Sequence, residues 1–353
     1  MRRLAAPLAA LALILAIAAP TLACGGLIGP NGAVNLLRTT TLAGYHDGVE
    51  HYVTAFEFAG GGGAFGSITP LPGIPSSVVR GGDWTLQRLV RETNPPSPEA
   101  LSFAAGAAED RAVVLQQVRI DALDITILKG GGAEIGVWAK EHGFSLPPDA
   151  PEVLDFYAAR SPIFMAASFD ADAAAERGQA IGDGTPVHLT IPTHNPWVPL
   201  RILALGKTAG ETVQADVYLL TDDRPALLPA PGSKLADGGL KLAHNEAASG
   251  ELLADLRSDK GMEWVPAAAW LTKIEIDAAA TSLRFDLAID ASGAGRPSVR
   301  DAGFAPFGPL PAPPSWNLLW VMLVAFSLGV PIGGGWLLVN ATRNGGGGRP
   351  LAG

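Results

Sequence analysis

The chain runs to 353 residues, 48% of them hydrophobic, with 34 acidic against 25 basic side chains and a formal charge of −9. A net-negative chain without a basic block argues against nucleic acid as a partner and against lying flat on anionic lipid. Cys24 is the single cysteine, so no intramolecular disulfide forms.

At the start, MRRLAAPLAALALILAIAAPTLA (Met1 to Ala23) places Arg2 and Arg3 before an apolar run from Leu4 to Ala19 and ends on a small residue. This three-part layout predicts a secretory signal removed after Ala23, by ordinary export rather than the twin-arginine route. An uncleaved anchor is the alternative. Cys24 then becomes the first mature residue, the position lipidated in bacterial lipoproteins, although Thr21 and Leu22 suit that modification poorly. A free thiol and a small structural residue are its other readings.

Strand-like runs follow at His51–Phe58, Ala112–Ile120, Ile125–Lys129, Ile163–Phe169, Val187–Ile191, Leu200–Leu205, Val213–Leu220 and Leu283–Ile289. In Val213–Leu220 the alternation of Val213, Ala215, Val217 and Leu219 with Gln214, Asp216 and Tyr218 predicts an antiparallel sheet with one wetter face. Helices are expected at Thr85–Glu92, Glu134–His142, Pro151–Arg160 and Asn245–Arg257. Strands and helices do not alternate regularly, which favours an α+β domain built mainly on antiparallel sheet over a doubly wound one. The stretch FEFAGGGGAFGSITPLPGIP contains a G-x-G-x-x-G match at Gly61, Gly63 and Gly66. A dinucleotide site needs a helix directly after the glycines, and Pro70, Pro72 and Pro75 forbid one. The stretch reads as a turn between extended segments, and no cofactor is expected.

Thr221–Gly239 is a long loop or an internal boundary within the exported domain, residues 24–291. Ser292–Pro314 (SGAGRPSVRDAGFAPFGPLPAPP) is rich enough in Pro and Gly to predict an extended stalk. Trp316–Val339 holds 24 residues without a charge, with Trp316, Trp320 and Trp336 near its ends. Spanning the hydrocarbon takes about 20 residues, so a transmembrane helix is expected over 316–339. Arg343 and Arg349 then mark the tail, 340–353, as cytoplasmic. All 34 acidic residues and 21 of the 25 basic ones lie in Cys24–Pro314, giving the exported part a formal charge of −13.

Several blocks resemble one bacterial family, the domain of unknown function 2330. They are CGG at Cys24–Gly26, the extended ITPLPGIP, VRIDALDITILKGGGAEIGVWAKEHGFSLPPD, and THNPWVPLRILAL followed by VQADVYLLTDDRP. The resemblance runs to about Ile289 and implies the fold, export and a membrane tether. It supplies no catalytic residues. The chain departs from many members in lacking a second cysteine after CGG.

In HDGVEH, His46, Asp47, Glu50 and His51 have the donor chemistry of metal ligands. The Asp47–Gly48 pair is also a strong hairpin-turn signal, which explains the segment without a metal. A metal site would need a third region, and His188 or His194 has no assigned place. Trp197 and Arg201 are the binding candidates. Pro196 and Pro199 would hold Trp197 as an aromatic platform, against the alternative of a core tryptophan with Arg201 paired to a carboxylate. Gly206-Lys207-Thr208 lacks the first glycine of a Walker motif, since Arg201 stands there. The reading is a membrane-tethered extracytoplasmic module binding an envelope protein or cell-wall component. An exported hydrolase or metal-dependent enzyme is the alternative.

Overall fold

The computed structural model describes residues 26–29, 32–33, 38–57, 65–94, 114–176, 184–291 and 295–304. The predicted signal at 1–23, Cys24, the glycines at 60–63, the predicted transmembrane segment at 316–339 and the predicted tail at 340–353 lie outside these residues. Among the described residues no helix is long and apolar enough to cross a membrane.

In chain order the strands and helices are β1 (Gly26–Gly29), β2 (Gly32–Ala33), β3 (Arg38–His46), β4 (Val49–Glu57), β5 (Phe65–Leu71), β6 (Ser77–Arg80) and α1 (Thr85–Thr93). Next come β7 (Val114–Ile120), β8 (Leu123–Lys129), α2 (Gly132–Glu141), α3 (Ala150–Ala158), β9 (Ile163–Phe169), α4 (Ala171–Glu176), β10 (Gly184–Pro192) and β11 (Trp197–Val198). The remainder are a 3₁₀ turn at Arg201–Ala204, β12 (Thr212–Thr221), β13 (Ala226–Leu228), β14 (Leu240–Ala247), α5 (Gly250–Ser258), β15 (Trp270–Ala279) and β16 (Leu287–Asp290). The fold is α+β, as the sequence pattern implies.

A first sheet has the order β2-β1-β5-β9-β8-β7, a second β14-β15-β12-β3-β4-β10-β6, and a small third β11-β16-β13. The pairings are antiparallel except β12 with β3, which is parallel, so the second sheet is mixed. One face of that sheet contributes Ala43, Tyr52, Val187, Leu189, Ala215 and Val217 to a core shared with Ile68, Ile127 and Met165 of the first sheet. On the other face Leu42, Val53, Tyr218, Leu220 and Leu271 meet Leu89 of α1 and Leu252, Leu253 and Leu256 of α5.

Three expectations change. β12 is wet on one face only at its start, where Thr212 and Gln214 are exposed, whereas Asp216, Tyr218 and Leu220 farther along that face are buried. It lies between β15 and β3 under α1 and α5, and alternation cannot distinguish one buried face from two. The predicted strand Leu200–Leu205 is instead a 3₁₀ turn, shaped by side chains described below. The predicted helix Asn245–Arg257 begins only at Gly250, after β14, where Ser249 caps it by accepting from the Leu252 N–H at 3.1 Å.

Part of the predicted stalk packs as well. Ala302 is fully buried, its carbonyl accepts from the Asp286 N–H at 3.0 Å, and the Phe304 ring lies 5.8 Å from that of Phe285. Arg300 donates to the Ala159 carbonyl at 2.9 Å, covering an open carbonyl at the end of α3. Gly303 fits because its φ is +73 and any Cβ would stand 2.2 Å from the Phe156 ring. Residues 295–304 therefore belong to the folded unit.

Candidate functional site

HDGVEH forms the tight turn joining β3 and β4, with Asp47 at φ 50 and Gly48 at φ 79. Those positive values are what a type I′ connection requires, and Asp and Gly tolerate them best. Pairing places Tyr45 opposite Glu50 and Gly44 opposite His51. Because side chains alternate along a strand, Glu50 and His51 leave β4 on opposite faces. The four residues cannot converge on one ion. Among the described residues no group of three or more His, Cys, Asp or Glu is placed to hold a metal.

Glu50 is fully buried, and neither carboxyl oxygen has a hydrogen-bond partner of good geometry. Burial pushes its pKa up to about 8, against a smaller opposing influence from the Trp197 backbone N–H. It is therefore a neutral acid at pH 7. Burial, then the nearby Glu50, also raises the Tyr45 phenol, whose hydroxyl donates to the Thr193 carbonyl at 3.0 Å.

On the opposite face, His51 Nδ1 lies 3.0 Å from Nε2 of His188, which β10 brings alongside. Both imidazoles are buried. The Trp264 indole covers His51 with ring centroids 3.9 Å apart and planes 4° from parallel. Gly44 makes this seat possible, since a Cβ there would stand 2.0 Å from Trp264 Cη2. Burial lowers the His51 pKa to about 3, helped by His188 and His46. Burial lowers His188 to about 4, with Glu263 opposing. Two neutral imidazoles thus share one proton, one ring donating and the other accepting. His188 Nδ1 and Trp264 Nε1 have no hydrogen-bond partner. His46, at the turn, is tied to Asp222 at 2.7 Å.

Trp197 is not a platform: it is 2% exposed. The Arg160 guanidinium lies 5.0 Å over its ring, 4.9 Å over Tyr157 and 4.1 Å over Phe156. Arg201 pairs with Glu152 and sits 4.2 Å over Phe156. Beneath them Asp286, with no exposed surface, accepts from Arg160 Nη2 at 2.5 Å and the Tyr157 hydroxyl at 2.8 Å. The Leu200 N–H at 2.7 Å and the Arg201 N–H at 3.0 Å complete its shell. Tyr157 oxygen in turn accepts from the Ile202 N–H at 2.9 Å. These acceptors take the backbone donors a strand would have paired, which explains the 3₁₀ turn. Asp286 and Arg160 were detectable in sequence only as charges beside apolar runs, a weak signal; His188 stood out only as a histidine without an assigned place, and Trp264 gave none.

A depression of about 420 Å³ between β14 and β15 is lined by Gly239, Leu240, Lys241, Glu275 and Asp277, and none of the histidines reaches it.

A family profile described as an uncharacterized protein conserved in bacteria, domain of unknown function 2330, matches residues 18–288. The chain belongs to this family. The match takes in every cluster described above except the segment 295–304. No curated protein matches the sequence. Among solved structures, that of baculovirus P35 is similar at 10% identity and a TM-score of 0.39, covering 72% of this chain and 96% of that one. The caspase-8/P35 complex is similar at 9% identity and a TM-score of 0.34, covering 72% and 90%. At these scores the likeness carries no functional argument.

Proposed function

We propose that this member of the bacterial domain of unknown function 2330 family is an extracytoplasmic, membrane-tethered module that binds a component of the cell envelope. The observation carrying this reading is the 24-residue uncharged segment Trp316–Val339, followed by Arg343 and Arg349 and preceded by an acidic chain behind a signal-like start. The side chains best placed for chemistry are engaged in the fold: Asp286 is filled by four donors, and Trp264 covers the imidazole pair. Such an arrangement favours recognition by surface over turnover in a cleft. Proximity labelling from a tag fused near residue 25, in the native host, tests it. Labelled envelope proteins are the expected result; exclusively cytoplasmic ones would overturn both the orientation and the reading.

A further inference from the structure

The imidazole pair and its cover make a device that the binding reading does not use. We propose that Trp264 is an acid-operated lid, closed over His51 and His188 while they share one proton and lifted when both are protonated. The geometry sets the condition. A hydrogen bond between Nδ1 of His51 and Nε2 of His188 at 3.0 Å needs one N–H and one lone pair. With two imidazolium rings both nitrogens carry hydrogen, and the bond becomes a repulsive contact inside a buried site.

What holds the lid is ring stacking and apolar contact, with no hydrogen bond from the indole itself. Trp264 is half-buried, its Nε1 has no hydrogen-bond partner, and it rests on His51 over Gly44 and against the apolar cluster beneath α1 and α5. Gly261, at φ +79 beside His188, provides a flexible point three residues before it.

The charged groups around the pair are few. His46 on β3 disfavours protonation of His51, whereas Glu263 on the lid loop favours that of His188. Arg80 on β6 is paired with Asp83 and Asp121, and Asp259 accepts from the Asp83 and Trp84 N–H groups and the Thr85 hydroxyl. Arg257 of α5 donates to the Val265 and Pro266 carbonyls, and Arg88 of α1 is paired with Glu92 and Asp255. Glu50 projects from the other face of the sheet. One effect opposes opening, the attraction of an imidazolium for the indole face, worth roughly tenfold. Burial, with His188 and His46 adding to it, works the other way and holds the His51 pKa down to about 3. Because two protons are taken up, the opening equilibrium shifts by up to about a hundredfold per pH unit below 6.5.

The test uses the full-length protein, oxidised with N-bromosuccinimide between pH 7 and pH 3 and analysed by site-resolved mass spectrometry. Oxidation of Trp264 is read relative to Trp84, which is 36% exposed and corrects for the reagent's own pH dependence. The expected result is a rise of at least tenfold in that ratio on acidification, with buried Trp138 and Trp197 still protected. A flat ratio, or simultaneous oxidation of Trp138 and Trp197, would overturn the lid. Replacing both histidines (His51→Gln, His188→Gln) should flatten the profile, and a rise that persists would also overturn it. Should the double variant not fold, deuterium exchange at the imidazole C2 positions of the native protein gives the titration of each histidine. Midpoints that fail to coincide with the Trp264 rise would then refute the coupling.

Discussion

Asp286 and Glu50 are both carboxyl groups with no exposed surface, and both lie near Trp197, yet the fold treats them oppositely. Asp286 receives a guanidinium, a phenol and two backbone donors, and through them fixes a 3₁₀ turn, α3 and the packed segment 295–304. Glu50 has no partner of good geometry and stays protonated. A buried polar group that is fully matched becomes structure, and one left unmatched becomes sensitive to pH. The imidazole pair and its indole cover stand between these extremes, with one bond made and two polar atoms, His188 Nδ1 and Trp264 Nε1, orphaned.

The contrast breaks most directly at Asp286. Asp286→Ala strands the Arg160 charge, only 5% exposed, and frees two backbone donors. A loss of roughly 3–5 kcal/mol is expected in urea unfolding; under ~1 kcal/mol would mean the network is incidental. Ending the chain after Ala291 rather than Phe304 removes buried Ala302, the Phe304–Phe285 contact and the Arg300 cap, and should cost about 2–3 kcal/mol. Equal melting temperatures for the two lengths would restore the stalk to residues 295–304.

Gly44→Ala sharpens the comparison from the other side. Its Cβ collides with Trp264, so a loss of about 1–3 kcal/mol is expected, accompanied by raised Trp264 oxidation at pH 7. Unchanged oxidation would show that the indole seat is elsewhere.

Glu50 gives a signed pH effect. Its folded pKa, about 8, exceeds the ordinary 4.5, so between these values the unfolded chain holds fewer protons and stability falls as pH rises, by up to tenfold in the unfolding equilibrium per unit. The histidines act in the opposite sense. Their folded values, about 3 and 4, lie below 6.5, so stability falls as pH drops below 6.5 and levels off near pH 3. Glu50→Gln should abolish the alkaline decline and leave the acid limb intact; a persisting decline would assign it to another group. The smallest effect belongs to Arg201→Ala, expected within ~1 kcal/mol because its partner Glu152 is 79% exposed.

The Asp47–Gly48 hairpin, α1 to α3 and most central strands were legible because each follows from neighbours along the chain. Asp-Gly tolerates positive φ better than most pairs, and the 163–169 run is short, apolar and bounded like a buried strand. The irregular order of strand-like and helix-like runs likewise pointed to the α+β class. Tertiary structure alone decided the rest. It sent Glu50 and His51 to opposite faces by alternation on a paired strand. It brought His188 from 137 residues away onto His51, buried Trp197, and drew residues 200–205 out of a strand by offering them the oxygens of Asp286 and Tyr157. Each of these depends on which long-range partner reaches a group first, and local periodicity carries no record of that.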